Sequence, residues 1–161
     1  PPVDGDPPVH GFINKRINLP HLQQQGSIYF ITWRCIKGQF LEPKERDIVI
    51  ETICHWDNIK WIVYCAVVMP DHVHVLAQPL EKAYEGSFDL SEIIYSIKSF
   101  SAHKINKIRG IKGAFWQDER FDRVIRDEKE LEEKWEYIRT NPVKNNLAER
   151  PEEYRWFYQR G

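Results

Sequence analysis

Hydrophobic positions along the chain change period several times, and these changes predict alternating strands and helices. Residues 27–35 are rich in β-branched and aromatic side chains and predict a strand. Residues 43–57 place apolar side chains mostly at helical spacing. A dense apolar run over 61–69 and a second predicted strand over 72–78 flank the turn residues Pro70–Asp71, which predicts a hairpin of two strands.

The second half of the chain predicts two helices and a short strand. Apolar side chains recur at helical spacing over 91–108, and a short strand is possible at 121–125. Asp127 can cap a helix over 128–140, and Pro142 is expected to end it. Because a two-residue turn joins only antiparallel neighbours, we expect an α+β fold with a mostly antiparallel sheet and helices on one or both faces.

The length of 161 residues suits one domain. Four prolines and two glycines at the start predict a flexible arm over 1–18, followed by a domain over 19–150 and a tail over 151–161. Three widely spaced cysteines argue against a disulfide framework and fit a reducing compartment. The longest apolar run, 61–69, is about half the length that spans a bilayer. We therefore expect a cytoplasmic protein with no membrane partner.

Two histidines stand out on the second strand of the predicted hairpin. His72 and His74 are two residues apart, so on a strand they project from one face, while Val73 and Val75 project from the other. Two neighbouring imidazoles can share one divalent cation. The spacing alone is equally compatible with two surface histidines on a half-exposed strand.

A tyrosine and an asparagine occupy one face of the last predicted helix. Tyr137 and Asn141 are four residues apart and would lie together. An amide oxygen suits magnesium or manganese, and a phenol can act as a nucleophile once it is activated. The spacing alone favours the plainer alternative, in which Tyr137 packs with Trp135 or Ile138 and Asn141 caps the helix before Pro142.

Six short motifs follow one another along residues 19–150: LPH at 19–21, YFITWR at 29–34, MPDHVHVL at 69–76, FWQ at 115–117, FDRVIRD at 121–127 and YIRTNPVKNNL at 137–147. In this order and spacing they resemble the REP-associated tyrosine transposases, a branch of the single-tyrosine HUH nucleases. The resemblance covers nearly the whole chain. It implies a ferredoxin-like fold with the histidines on a central strand and the tyrosine on a nearby helix.

The resemblance also implies a nuclease and strand transferase that acts on single-stranded DNA, often at a hairpin formed by a repetitive extragenic palindrome. His72 and His74 match the metal-binding histidines, and Asn141 matches the amide that completes the site for Mg²⁺ or Mn²⁺. Tyr137 matches the nucleophile that forms a 5′-phosphotyrosine. A chain of this branch can act as a monomer, which we favour over a homodimer, and we expect it to associate with the nucleoid.

The net charge of −1 conceals an uneven distribution of charge. Residues 98–126 carry +5, whereas residues 1–97 carry −4 and residues 127–161 carry −2. A basic stretch interleaved with aromatic residues suits phosphate contacts and base stacking, although charge runs are also common on solvated helix faces. The residues predicted to contact DNA are Lys98, Lys104, Lys107, Arg109, Lys112, Arg120, Arg123, Arg126 and Trp116.

Two other functions remain open at this point. The first is a non-catalytic DNA-hairpin-binding or repressor module on the same fold. The second is a metal-dependent hydrolase of a small molecule, with water as the nucleophile at His72 and His74. A rival nucleophile, Tyr95, lies in the other amphipathic helix, but its i+4 position is Ser99 and offers no amide.

Overall fold

Five strands and three helices make up the described part of the chain. In this computed structural model, residues 26–84 and 86–161 are described. The elements, in chain order, are β1 (Tyr29–Cys35), α1 (Pro43–His55), β2 (Trp61–Val68), β3 (His72–Pro79), α2 (Leu90–Arg109), β4 (Trp116–Val124), α3 (Glu128–Lys144), a 3₁₀ turn (Pro151–Glu153) and β5 (Phe157–Gln159). The arm predicted at residues 1–18 lies outside the described residues.

The strands form one sheet in the order β4-β1-β3-β2-β5, and every neighbouring pair is antiparallel. Because β1 and β2 both pair antiparallel with β3, they run parallel to each other and α1 connects them. The first six elements thus have the order βαββαβ and the sheet order 4-1-3-2, which is the ferredoxin-like arrangement. The predicted α+β class is confirmed.

The two faces of the sheet are packed by different helices. On the face that we call the closed face, Ile31, Trp33, Val73 and Val75 form one core with the buried residues of α1 and α2. On the opposite face, which we call the α3 face, residues such as Leu76 form a second core with α3. Helices therefore cover both faces, and none in the described residues is long and apolar enough to cross a membrane.

The helix α3 begins at a strong cap and continues past the proline that was expected to end it. The Asp127 side chain accepts a hydrogen bond from the Glu130 amide at 2.8 Å, which satisfies one of the free amides of the first turn. Pro142 lies inside the helix, where it is buried, and Asn145 caps the helix through its hydrogen bond to the Asn141 carbonyl. The expected end at Pro142 was wrong, because packing outweighs the loss of one helical hydrogen bond.

The segment over 151–161 is part of the domain and is not a tail. Strand β5 pairs with the edge of β2, and the Tyr154 hydroxyl donates a 2.6 Å hydrogen bond to the Val68 carbonyl. The indole of Trp156 donates to Asp47 in α1 at 2.7 Å. A three-residue strand has too little periodicity to be recognised from sequence, since only its pairing with β2 defines it.

Candidate active site

The strand β3 presents both histidines on the α3 face. Their rings lie 4.8 Å apart, centroid to centroid. The intervening Val73 and the following Val75 are fully buried in the core of the closed face. The alternation predicted for the histidine pair is therefore present, and the pair occupies the middle strand of the sheet.

The helix α3 brings Tyr137 against this pair. Its ring centroid lies 5.2 Å from that of His74 and 5.9 Å from that of Phe30. Phe30 in turn stacks on His74 at 5.5 Å. Trp135 and Ile138, the proposed core partners of Tyr137, are buried, whereas Tyr137 is 42% exposed. Tyr137 thus combines contact with the histidines and access to solvent, which a core tyrosine lacks.

Each histidine is held through its Nδ1 atom. Nδ1 of His74 lies 2.7 Å from the Thr32 hydroxyl, and Nδ1 of His72 lies 2.7 Å from Oδ1 of Asp71. The Nε2 atom of His74 is buried and has no hydrogen-bond partner in the described part of the chain. A histidine that ligates a metal through one nitrogen is commonly oriented by a hydrogen bond at the other. These two imidazoles fit such a role.

The surroundings keep both imidazoles in the neutral form that ligation requires. Burial, followed by the charges of His72, Arg34 and Lys134, lowers the pKa of His74 to about 3. Burial also lowers the pKa of His72, although the hydrogen bond to Asp71 opposes the shift. A neutral imidazole offers a lone pair, so no proton has to be displaced at neutral pH before a cation binds.

The predicted third ligand, Asn141, lies one helical turn after Tyr137. It is buried, and its Oδ1 accepts a 3.1 Å hydrogen bond from the Asn145 side chain. An amide oxygen has a second lone pair, so this bond leaves one acceptor position for a cation. Among the described residues no group of three or more His, Cys, Asp or Glu side chains could hold a metal. A metal site at the two histidines would therefore need a further ligand, such as the predicted Asn141.

Four residues around the pair were not predicted as site residues. Thr32 and Arg34 of β1 lie opposite His74 and His72 in the sheet, and Phe30 precedes them on the same face. Lys134 places its ammonium group 4.9 Å from the centroid of the Phe30 ring. The period of two along β1 marks residues 30, 32 and 34 as one face, but only the β1–β3 register shows that they border the histidines.

Comparison with known proteins identifies the family. The model of the IS200-like transposases matches residues 29–141, which include both histidines, Tyr137 and Asn141. The chain belongs to this family. A solved structure of a REP-associated tyrosine transposase bound to a REP hairpin superimposes on it with a TM-score of 0.68, at 22% identity, over 83% of this chain and 76% of the other. No protein of curated function matches the chain.

Two of the residues predicted to contact DNA in this transposase are engaged inside the protein. The Arg109 guanidinium donates to both oxygens of the Glu45 carboxylate, at 2.7 and 2.6 Å, and also to Gln39 and the Phe40 carbonyl. Trp116 is 5% exposed and donates to the Ser101 hydroxyl at 3.0 Å. Internal hydrogen bonds engage the Arg109 guanidinium and burial covers Trp116, so both side chains would have to leave these contacts before they could touch DNA.

The other predicted residues lie on several elements and differ in their partners. Lys98 donates to the backbone carbonyl of Gln117 at 2.7 Å, and Lys104 lies over the Phe100 ring. Arg120 pairs with Asp122. Arg123 and Arg126 both pair with Glu130 at the start of α3, and Lys107 and Lys112 are exposed. The +5 segment is thus divided between α2, the following loop, β4 and the residues that join β4 to α3.

Proposed function

We propose that the chain is a transposase-type endonuclease and strand transferase that cleaves single-stranded DNA at a hairpin through a 5′-phosphotyrosine on Tyr137. One observation carries the proposal: an exposed tyrosine contacts His74, whose Nε2 is buried without a partner in the described residues. Membership in the IS200-like transposases supports the reaction class. The hairpin bound to the similar solved structure supports the substrate.

In the proposed reaction the Tyr137 hydroxyl oxygen attacks the phosphorus of a phosphodiester. The new bond joins the tyrosine oxygen to phosphorus, and the bond between phosphorus and the 3′ oxygen breaks. The phenolic proton passes to solvent, and the departing 3′ oxygen takes up a proton to become a 3′-hydroxyl. Since one phosphoester replaces another, a 3′-hydroxyl can reverse the step and rejoin the strand.

A divalent cation fits the proposed chemistry. His72, His74 and Asn141 would hold Mg²⁺ or Mn²⁺, with Nε2 of each imidazole as the donor. A cation bound there supplies a Lewis acid that polarises a phosphoryl oxygen. The chain's own part is to keep the imidazoles neutral and oriented through Thr32 and Asp71, and to present Tyr137 beside them.

Positive charge near the site supports an anionic substrate. Lys134 lies over Phe30, beside His74, and the Lys144 ammonium lies 6.0 Å from the centroid of the Tyr137 ring. Cations at or near the surface attract the phosphate backbone regardless of sequence. Since His72, His74 and Tyr137 of one chain lie together, we propose that a monomer carries out cleavage.

The test uses hairpin oligonucleotides that carry single-stranded tails of random sequence, incubated with the protein and manganese. We expect a protein–DNA adduct that survives denaturation, and we expect Tyr137→Phe to abolish the adduct while hairpin binding remains. Tyr95→Phe, a change at an exposed tyrosine of α2, is the matched control and should leave the adduct intact. Binding with no cleavage in the unmodified protein would instead favour a non-catalytic hairpin-binding module.

A further inference from the structure

The part of the α3 face toward the edge strand β4 is less covered than its centre. The helix α3 packs mainly on β2 and β3 and on Phe30 of β1, whereas Arg34 of β1 and Phe121 of β4 are exposed on the same face. Phe121 of β4 lies opposite Thr32 on this part and is 56% exposed. Its ring meets the edge of Phe30 with the centroids 6.3 Å apart. A large aromatic side chain is thus exposed one strand away from Thr32, the residue that orients His74.

A break in the β1–β4 register opens a cleft next to this ring. Trp33 pairs with Arg120 and Cys35 pairs with Trp116, so the three residues 117–119 of β4 stand opposite Arg34 alone. Such bulges bend a strand and redirect its side chains. The resulting cleft, of about 250 Å³, is lined by residues that include Arg34, Glu119 and Phe121.

Two arginines line the cleft, Arg34 and Arg120, and Arg120 pairs with Asp122. The Arg34 side chain is exposed, it shares the face of His72 through the β1–β3 register, and it makes no ion pair within the residues that the structure describes. A planar guanidinium without an internal partner suits a phosphate oxygen. Glu119 is the one acidic side chain that lines the cleft, so the cleft is not simply a basic patch.

We propose that Phe121 and Arg34 form a nucleotide subsite for the single strand that flanks the cleaved phosphate. The base stacks on the exposed Phe121 ring, and Arg34 contacts an adjacent phosphate. The strand then runs from Tyr137 and His74 across β1 to the edge strand β4. This inference rests on the proposed function for its ligand, but it rests on different residues.

A photo-crosslinking experiment tests where the strand lies. The probe is a DNA hairpin with a random single-stranded tail in which 5-iododeoxyuridine replaces thymidine, because this base crosslinks to an aromatic ring on which it stacks. Digestion and mass spectrometry of the irradiated complex should locate the crosslink at Phe121. Crosslinks at other residues, with none at Phe121, would overturn the proposal.

Variants measure the energy of the contact. We expect Phe121→Ala to weaken binding of the tail about tenfold, the size of one stacked base, and Phe121→Trp to restore it. Arg34→Gln should weaken binding and reduce its salt dependence, whereas Arg34→Lys should retain part of both. The control is Tyr95→Ala, which removes an exposed aromatic ring from α2. Thermal melting checks that each variant is folded.

The two proposals fail in different ways. If the Tyr137 adduct forms normally and neither Phe121→Ala nor Arg34→Gln changes binding, the subsite is wrong and the proposed function stands. If Phe121 crosslinks and its loss weakens binding but no adduct forms, the subsite stands and the nuclease activity is wrong.

Discussion

Neighbouring positions of the same strands carry apolar core residues on one face of the sheet and polar site residues on the other. On the closed face, Ile31 and Val75 are fully buried beneath two helices. On the α3 face, their neighbours Thr32 and His74 form a polar pair at the centre of the sheet. A single helix of those described covers this second face, and it leaves Arg34 of β1 and Phe121 of β4 exposed.

The difference shows how a small domain can separate stability from chemistry. The closed face carries apolar burial that holds the sheet in register, and that register places the polar side chains of the other face. A buried nitrogen without a partner, such as Nε2 of His74, does not help folding and is tolerated because the opposite face is well packed. Substitutions on the closed face should therefore lower stability more than activity, and substitutions on the α3 face should lower activity more than stability.

The largest expected effect is on the α3 face, at His74. His74→Ala removes a ligand with the buried free nitrogen and should lower the rate of adduct formation about a thousandfold, because a bound cation contributes several kcal/mol to the barrier. Adduct formation on denaturing gels over time measures this. The cavity left by this buried side chain should also lower the melting temperature, so cleavage is expressed per folded molecule. If the variant cleaves at the normal rate, the active site does not lie on the α3 face.

On the closed face the expectation is reversed. Ile31→Ala, at a fully buried position of β1, should lower the free energy of unfolding by about 3 kcal/mol, through lost burial and a cavity. Urea denaturation measures the loss. Cleavage per folded molecule should stay close to that of the unmodified protein. A large loss of activity in the folded fraction would show that the two faces are not separable.

The ion pair between Arg109 and Glu45 tests whether a residue that was predicted to contact DNA stabilises the fold instead. Arg109→Gln leaves a buried carboxylate without its partner and should destabilise the protein by about 2 kcal/mol. Hairpin affinity of the folded protein should not change. Lys107→Gln, at an exposed lysine of the same helix, is the control and should leave stability unaltered. Reduced affinity with unchanged stability would restore the DNA role of Arg109.

This ion pair also predicts how stability depends on pH. Burial raises the pKa of Glu45, but hydrogen bonds from Arg109 and the Glu42 amide outweigh it and bring the pKa below the ordinary value of 4.5. A lowered pKa in the folded state contributes stability above the unfolded value, and that stability is lost as the pH falls through the folded value. Glu45→Gln should therefore be less stable at neutral pH and show a flatter acid limb in urea titrations from pH 6 to 2, about the range over which carboxylates titrate. An acid limb identical to that of the unmodified protein would contradict this.

The smallest expected effect concerns the residue that orients His74. Thr32→Val keeps the shape of the side chain but removes the hydroxyl at Nδ1, so manganese affinity should fall about tenfold, as for other residues that support a ligand. Calorimetric titration with manganese measures the affinity. Thr52→Val, in α1, removes a hydroxyl that bonds only to the Ile48 carbonyl and serves as the control. An unchanged affinity in Thr32→Val would mean that the hydroxyl does not position the imidazole.

Local patterns along the chain predicted the elements that carry their own periodicity. The alternation around His72 and the helical spacing over α2 are local properties, and both were recognised. The strand β4 was predicted only in part, because its first half is polar, lies at an edge and contains the register break opposite Arg34. Such a strand has no regular alternation to read.

The residues around the site were not predicted, because contacts between distant parts of the chain bring them together. Thr32 and His74 are 42 positions apart, and only strand pairing brings their side chains together. The burial of Trp116 likewise follows from the packing of β4 under α2, which local residue types in this basic and aromatic segment do not indicate. The residue type indicated the chemistry at Tyr137. By contrast, only the fold shows which lysine and arginine side chains are engaged by internal partners.

The most direct measurement of the central claim is the location of the covalent bond to DNA. The adduct formed with a hairpin oligonucleotide and manganese is digested with a protease and a nuclease, and the peptides are sequenced by mass spectrometry. The account predicts one modified peptide, with a nucleotide 5′-phosphate on the phenolic oxygen of Tyr137. A nucleotide on Tyr95 or on any other residue, or cleavage with no covalent intermediate, would contradict it.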